Sequence, residues 1–274
     1  MSEDKELRLI ASNMVKSLKK NEEVVAVWFY GAAQRGRSWD ESDVDLLVLM
    51  EDPPAAPDTR AERNGVTVHL HWIGRETFEM QIKPAGDPIL HSRIGGGELL
   101  YDRDNQFKEL VKRMRSYSDE YRAYHMIPHL NALLHWARDL RKRMALHDER
   151  PRRAAARQWE VDNHSSAVLL IEKGLYPHNE PMTQATDARI FVPNLADPKD
   201  LETFVKPHFE RWVLPQLRAW GAEGDFDEAM LQSKYGAGSS TYLLEYATGE
   251  GWIKRVKTSD RSNLPIQEFL YRLA

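Results

Sequence analysis

The sequence predicts an α+β protein: a mixed sheet flanked by helices over residues 1–116, followed by a helical bundle over 117–274. Three observations carry this expectation. Strand and helix patterns alternate through the first third of the chain, and strand signals fade after about Tyr117, where long helical periodicities take over. The chain has 274 residues, 42% hydrophobic and 29% charged, which suits one large globular domain or two ordinary ones at about 100–200 residues each.

The elements follow in order. Leu7, Ile10, Met14, Val15 and Leu18 recur at helical spacing over Glu6 to Lys20, with Lys16, Lys19 and Lys20 near the C-terminal end where the helix dipole favours cations. Val24 to Tyr30 is a β-branched and aromatic run that stops at Gly31, a buried strand and a turn. Ser42 to Met50 is a second strand, polar at its start and apolar from Leu46. Glu51 to Arg63, rich in Pro, Ala and Asp, reads as a loop. Val66 to Ile73 alternates, with Thr67, His69 and His71 on one polar face. A short helix over Arg75 to Lys83, an edge strand at Leu99 to Tyr101 and a helix over Asn105 to Arg115 complete this half.

The second half reads as helices: Tyr121 to Leu146, divided or kinked at Pro128, and Arg152 to Lys173, stopped by Gly174 and Pro177. Pro181 to Pro198 is irregular. Leu201 to Trp220 is helical but interrupted at Pro207 and Pro215, and Asp225 to Tyr246 holds one or two further helices broken at Gly236-Ala237-Gly238. A short amphipathic piece over Ile266 to Leu273 ends the chain.

Composition removes several chemistries. The absence of cysteine excludes disulfides, thiolate catalysis, Cys-ligated zinc and iron–sulfur clusters. A net charge of −4, from 38 Lys and Arg against 42 Asp and Glu, gives no global field for nucleic acid, so none is expected as a partner. The acidic start Met-Ser-Glu-Asp is unlike a signal peptide, and no apolar run approaches the ~20 residues of a membrane span. A cytoplasmic protein without membrane contact is expected.

One constellation carries chemistry. A strand ends in Gly31; an arginine-bearing connection with Arg35 and Arg37 follows; then Ser42-Asp43-Val44-Asp45 opens the next strand. Side chains alternate along a strand, so Asp43 and Asp45 share a face about 6–7 Å apart along the chain. Two carboxylates held that close resist joint ionisation unless a cation is shared between them. Mg²⁺ suits the role, since it takes a few carboxylates and completes its shell with phosphate oxygens and water. Gly31 lets backbone amides approach a phosphate, and Arg35 or Arg37 would neutralise charge there. The pattern is that of a triphosphate–magnesium site.

On these residues the sequence resembles the nucleotidyltransferases of the DNA polymerase beta superfamily, in which a Gly-Ser turn is followed about a dozen residues later by Asp-x-Asp. The resemblance spans residues 22–116 and extends more loosely into the helical half through Ile171-Glu172-Lys173-Gly174-Leu175-Tyr176-Pro177, which is similar to two-domain aminoglycoside and lincosamide nucleotidyltransferases. It implies transfer of a nucleoside monophosphate from an NTP, ATP by preference, to a hydroxyl of a small molecule, with Asp43 and Asp45 as metal ligands. Gly31, Ala32, Arg35, Arg37 and Ser42 would then meet the nucleotide. Two departures stand out: the turn serine is Ala32, and the strand expected to carry a third acid has none, offering His69 and His71 instead. The expected general base is His71, a neutral imidazole being suited to accept a proton near neutral pH, or an acid of the helical half; Glu76 or Glu79, just beyond that strand, could stand in for the third acid.

In the helical half, Glu160 and Asp162 are the expected contributions to an acceptor site, and residues 138–157 gather eight Arg or Lys against three acids. Two alternatives follow from these features. One is a nucleotide-binding protein with a degenerate site, and the other a toxin-type modifier of tRNA or protein.

Overall fold

The computed structural model describes residues 3–36, 42–84, 86–145, 151–177, 181–195, 197–229, 241–256 and 270–274, and they form two compact units, Met1–Ser118 and Asp119–Ala274. The first holds five strands, β1 (Val24–Tyr30), β2 (Val44–Met50), β3 (Asp58–Arg63), β4 (Val66–Gly74) and β5 (Glu98–Asp102), in the order β3-β4-β2-β1-β5. Only β2 and β4 run parallel; every other pairing is antiparallel. The sheet is mixed and flanked by helices, as its alternating patterns predict.

Each face of the sheet has its own core. Helix α1 (Glu3–Leu18) lays Leu7, Ile10, Met14 and Val15 on one face, against Val27, Phe29, Leu46, Val48 and Leu70. On the other face the Trp28 ring packs 5.7 Å from Phe78 and 5.5 Å from Phe107, centroid to centroid. Phe78 comes from α3 (Arg75–Gln81), and Phe107 precedes α5 (Lys108–Ser116). Because both faces are covered, β1 and most of β2 are continuously apolar.

The structure corrects the N-terminal half in two places. Part of the expected loop Glu51 to Arg63 is strand β3, hydrogen-bonded to β4 through a tight turn in which Asn64 and Gly65 have φ of 54° and 80°. That Asn-Gly pair is the hairpin signal that could have found it; the strand itself, Asp-Thr-Arg-Ala-Glu-Arg, is an exposed edge with no apolar alternation. The second addition is α4 (Pro88–Gly96), announced by Asp87, which caps Ile89 N at 2.8 Å, and by Pro88 in its first turn. Between α1 and α4 in the chain lies the single-turn helix α2 (Gly31–Gln34).

The second unit is built on α6 (Asp119–Ala145) packed against α7 (Pro151–Glu172), with α6 running unbroken through Pro128. Gly174, at φ 75°, closes α7: Gly174 N bonds Ile171 O at 2.9 Å and Leu175 N bonds Leu170 O at 2.8 Å, a Schellman ending. Helix α8 (Pro181–Asp187) forms within the stretch expected to be irregular. Helices α9 (Pro198–His208) and α10 (Leu214–Glu223) are joined by one π-helical turn, Phe209–Val213, so the prolines 207 and 215 loosen the helix without severing it. The Glu172 carboxylate locks this turn, accepting from Trp212 Nε1 at 2.6 Å and pairing with Arg211.

Helix α11 (Thr241–Gly249) follows, and three short strands, β6 (Phe226–Asp227), β7 (Ile253–Val256) and β8 (Leu270–Leu273), make a small sheet in the order β6-β8-β7. The end of the expected amphipathic piece is therefore strand, while Gly236-Ala237-Gly238 lies outside the described residues. No helix among the described residues is long and apolar enough to cross a membrane.

Candidate active site

The register of the first sheet aligns a polar row across four strands. Tyr30 of β1 opposes Asp45 of β2, Asp45 is level with His69 of β4, and His69 opposes Arg60 of β3. Cross-strand partners project from the same face, so one face of the sheet carries this row, at the end of β1 and the start of β2. Asp43, two residues before Asp45, joins it. The His69 Nδ1 atom is 3.3 Å from Asp43 Oδ2 and 3.6 Å from Asp45 Oδ1, and one ligand atom from each of the three lies within 4.8 Å of the others. Among the described residues this is the group able to hold a metal ion.

The electrostatics show what the cluster lacks. The Asp45 carboxyl, 22% exposed, is pushed up from 3.8 to about 6, first by burial and then by the charge of Asp43. His69, Arg93 and Arg35 pull in the other direction without cancelling it. Burial and the neighbouring Asp43 thus disfavour the charged form of Asp45.

Gly31 belongs to this arrangement in a way its sequence position does not reveal. Its φ is 89°, and a Cβ placed there would lie 2.2 Å from Asp45 Oδ2. The glycine therefore makes room for the aspartate. Ala32 is half-buried and Ala33 buried in the single turn of α2, with Arg35 as its C-cap, and Ser42 stands half-buried just before β2. Arg37 lies outside the described residues.

No acid completes the group on β4. Glu76 is exposed in the first turn of α3, and Glu79 lies 3.7 Å from Arg75, so neither joins the pair. The third position is filled by His69. His71, level with Leu47 and so one step further along the same face, is engaged elsewhere: its Nδ1 is 2.5 Å from Asp58 Oδ1 on β3. Sequence reasoning passed over Asp58 because it passed over β3. It also passed over Tyr30 and Arg93 of α4, whose guanidinium carbon sits 5.0 Å above the Tyr30 ring. Burial pushes the Tyr30 phenol up to about 12, helped by Asp45, Asp58 and Asp43 and opposed by Arg93.

The two acids named in the helical half belong to the second unit. Glu160 Oε2 is 3.9 Å from His164 Nε2, and Asp162 Oδ1 accepts a hydrogen bond from Gln158 at 2.8 Å, with burial raising the Asp162 pKa. Among the described residues of the basic stretch, Arg138, Arg143 and Arg157 are paired within their own unit. Asp139 pairs with Arg143 at 2.9 Å and Arg157 at 2.7 Å, Arg157 caps the Trp136 ring at 4.4 Å, and Arg138 pairs with Glu245 at 2.9 Å.

Comparison with known proteins agrees with this geometry. Residues 12–106 match the family model described as "Polymerase beta, Nucleotidyltransferase". A curated relative from Methanocaldococcus jannaschii, named "Putative protein adenylyltransferase MJ1305", is 24% identical over 123 residues, which is 41% of this chain and 84% of that protein. A solved structure of a nucleotidyltransferase-like protein from Exiguobacterium sibiricum aligns with a TM-score of 0.61 at 16% identity, covering 96% of this chain and 97% of the other. At that identity the likeness concerns the fold alone.

Proposed function

We propose that this nucleotidyltransferase, whose N-terminal unit carries the polymerase beta-type domain, moves the adenylyl group of ATP to a hydroxyl of a small acceptor molecule with Mg²⁺ as its cation. The observation that carries the proposal is the Asp43–Asp45–His69 cluster. Its donor set fits a divalent cation: two carboxylates and an imidazole on one face, with Asp45 raised to about 6 by burial and by the charge of Asp43. Asp43 and Asp45 would hold the ion, with His69 as the third donor. When bound, the cation supplies the charge that draws the triphosphate oxygens in and offsets the charge they gain during transfer.

The chain's own residues then have distinct tasks. Arg35, Ser42 and the backbone at Gly31 and Ala32 meet the phosphates. His71 takes the proton of the attacking hydroxyl on Nε2 while Asp58 holds its Nδ1–H, an arrangement that fixes the tautomer as a carboxylate does for other catalytic imidazoles. The acceptor oxygen forms a bond to the α-phosphorus as the bond from that phosphorus to the bridging oxygen breaks, and pyrophosphate leaves.

A second reading concerns the acceptor alone. The M. jannaschii relative is named as a protein adenylyltransferase, which favours a protein hydroxyl. Its match spans less than half of this chain, so it bears on the transfer chemistry more than on acceptor choice. ATP labelled at the α-phosphate, incubated with Mg²⁺ and a panel of polyhydroxylated small molecules or proteins, separates the two. Label in a small molecule together with free pyrophosphate supports the first reading, and label in protein supports the second. Release of inorganic phosphate without α-label transfer overturns both.

A further inference from the structure

We infer that Arg93 is a further triphosphate-binding arginine of this site and that Tyr30 is the platform that positions it. The inference rests on the nucleotidyl-transfer reading and extends it to two residues outside the glycine turn and the Asp-x-Asp pair.

Arg93 lies in the last turn of α4, half-buried, with its guanidinium carbon 5.0 Å above the Tyr30 ring. Among the described residues it pairs with no carboxylate. Its charge nevertheless acts on both Asp45 and Tyr30, so it stands beside the acid pair without being consumed by it. A half-buried arginine is normally paired, because its planar fork of five donors loses hydration on burial and needs acceptors in return. Here the face against Tyr30 is held by the ring quadrupole, while the in-plane donors are left for a ligand. Phosphate oxygens match that fork in a bidentate fashion.

The surroundings are built to hold the arginine in place. Asp87 caps α4 at Ile89 N, 2.8 Å away, and the buried His91 ring lies 2.9 Å from Gln81 O, fixing α4 to the end of α3. At the other end, a Cβ on Gly97 would lie 2.2 Å from Arg93 O and 3.1 Å from Phe29 O, so only glycine lets the last turn of α4 press against the end of β1. That contact sets Arg93 above Tyr30. Tyr30 is in turn level with Asp45 on the neighbouring strand, which places platform, arginine and acid pair side by side. Tyr30 stays an un-ionised phenol at neutral pH and is a ring platform rather than a counter-ion. The ligand class is therefore a polyphosphate chain reaching from the acid pair across Tyr30.

The test uses inorganic tripolyphosphate and Mg·ATP as probes on the full chain, with AMP as the control that lacks the outer phosphates. Arg93→Ala should weaken tripolyphosphate and Mg·ATP by about 10- to 100-fold, the range of a lost charge-assisted pair, and leave AMP within about twofold. Arg93→Lys should recover part of the loss and Arg93→Gln almost none. Tyr30→Phe should keep binding, because the ring is retained, whereas Tyr30→Leu should lose about as much as Arg93→Gln. Mn²⁺ binding at the acid pair, retained in each variant, shows that the site is still folded. The inference is overturned if wild type does not bind tripolyphosphate, or if Arg93→Ala binds it as tightly as wild type, or if AMP weakens in parallel. Tripolyphosphate binding that depends on Arg93, in a chain that transfers no adenylyl group, would keep this inference and remove the transfer reading instead.

Discussion

The Asp45 carboxylate fills the space that a side chain on Gly31 would need, with Oδ2 only 2.2 Å from the position of such a Cβ. The turn glycine and the second acid of the pair are thus one structural unit, although 14 positions separate them in the sequence. The glycine is needed at that position for two reasons, a φ of 89° and the carboxylate behind it.

Gly31→Ala should accordingly lower stability by about 2 kcal/mol or more, combining left-handed strain with displacement of Asp45. Urea unfolding measures it. In the Gly31→Ala/Asp45→Ala double variant the clash is gone but the backbone strain persists, so the two changes should cost less together than the sum of the singles. Strict additivity would mean that the contact has no energetic weight.

Asp45 makes a pH-dependent statement about the metal-free chain. Its folded pKa, about 6, is above its ordinary 3.8, so between those values the folded chain binds more protons than the unfolded one. Stability therefore falls as pH rises through this window, and the penalty is complete above about pH 6. Asp45→Asn should stabilise the metal-free chain at pH 8 by up to about 3 kcal/mol, with the gain gone below about pH 4. Denaturant midpoints at pH 4 and pH 8 check the sign. An asparagine variant less stable than wild type at pH 8 would contradict it.

His69 stands where a third carboxylate would serve Mg²⁺ better, since that ion prefers oxygen donors. His69→Asp should lower the Mg²⁺ concentration needed for half-maximal activity and enlarge the rise in melting temperature that Mg²⁺ produces. Without metal, the extra charge beside Asp43 and Asp45 should make the variant less stable than wild type. His69→Ala should raise the Mg²⁺ requirement about 10-fold, in the range of a lost ligand or its support. Metal titrations of rate and of melting temperature read both effects.

In the helical unit, His129 and His164 place their Nδ1 atoms 3.1 Å apart, a spacing that needs one ring to donate and the other to accept. Burial pushes His129 down to about 3, with His164 adding to it, and pushes His164 down to about 4. The unfolded chain takes up these protons near pH 6.5 and the folded chain does not, so stability is complete above 6.5 and is lost as pH falls below it. Between pH 7.5 and 4.5, His164→Leu should lose about 2 kcal/mol less than wild type. Equal losses would place the acid sensitivity elsewhere.

What could be read in advance follows from where each residue sits. The central strands β1 and β2 were legible because burial on both faces makes them continuously apolar, and Asp43 and Asp45 because alternation puts them together. Strand β3 was not, since an exposed edge of Asp, Arg and Glu has no apolar period; only Asn64-Gly65 betrays it. Asp58, as the partner of His71, was lost with it. The replacement of the third acid by His69 was visible as an absence on β4, but its contact with both aspartates depends on the parallel register of β2 and β4. The meeting of Arg93 and Tyr30 is tertiary, created by α4 closing on β1 through Gly97, and no local pattern encodes it. Leu270–Leu273 is a strand at the end of what the sequence shows only as a short amphipathic piece, since four residues are too few for a period to declare itself.

The most direct test of the account is pyrophosphate release from ATP by the Asp43→Asn/Asp45→Asn variant, followed across a Mg²⁺ titration beside wild type, with folding verified by circular dichroism. The account predicts Mg²⁺-dependent release by wild type and none by the folded double variant at any Mg²⁺ concentration. Undiminished release from that variant would contradict it.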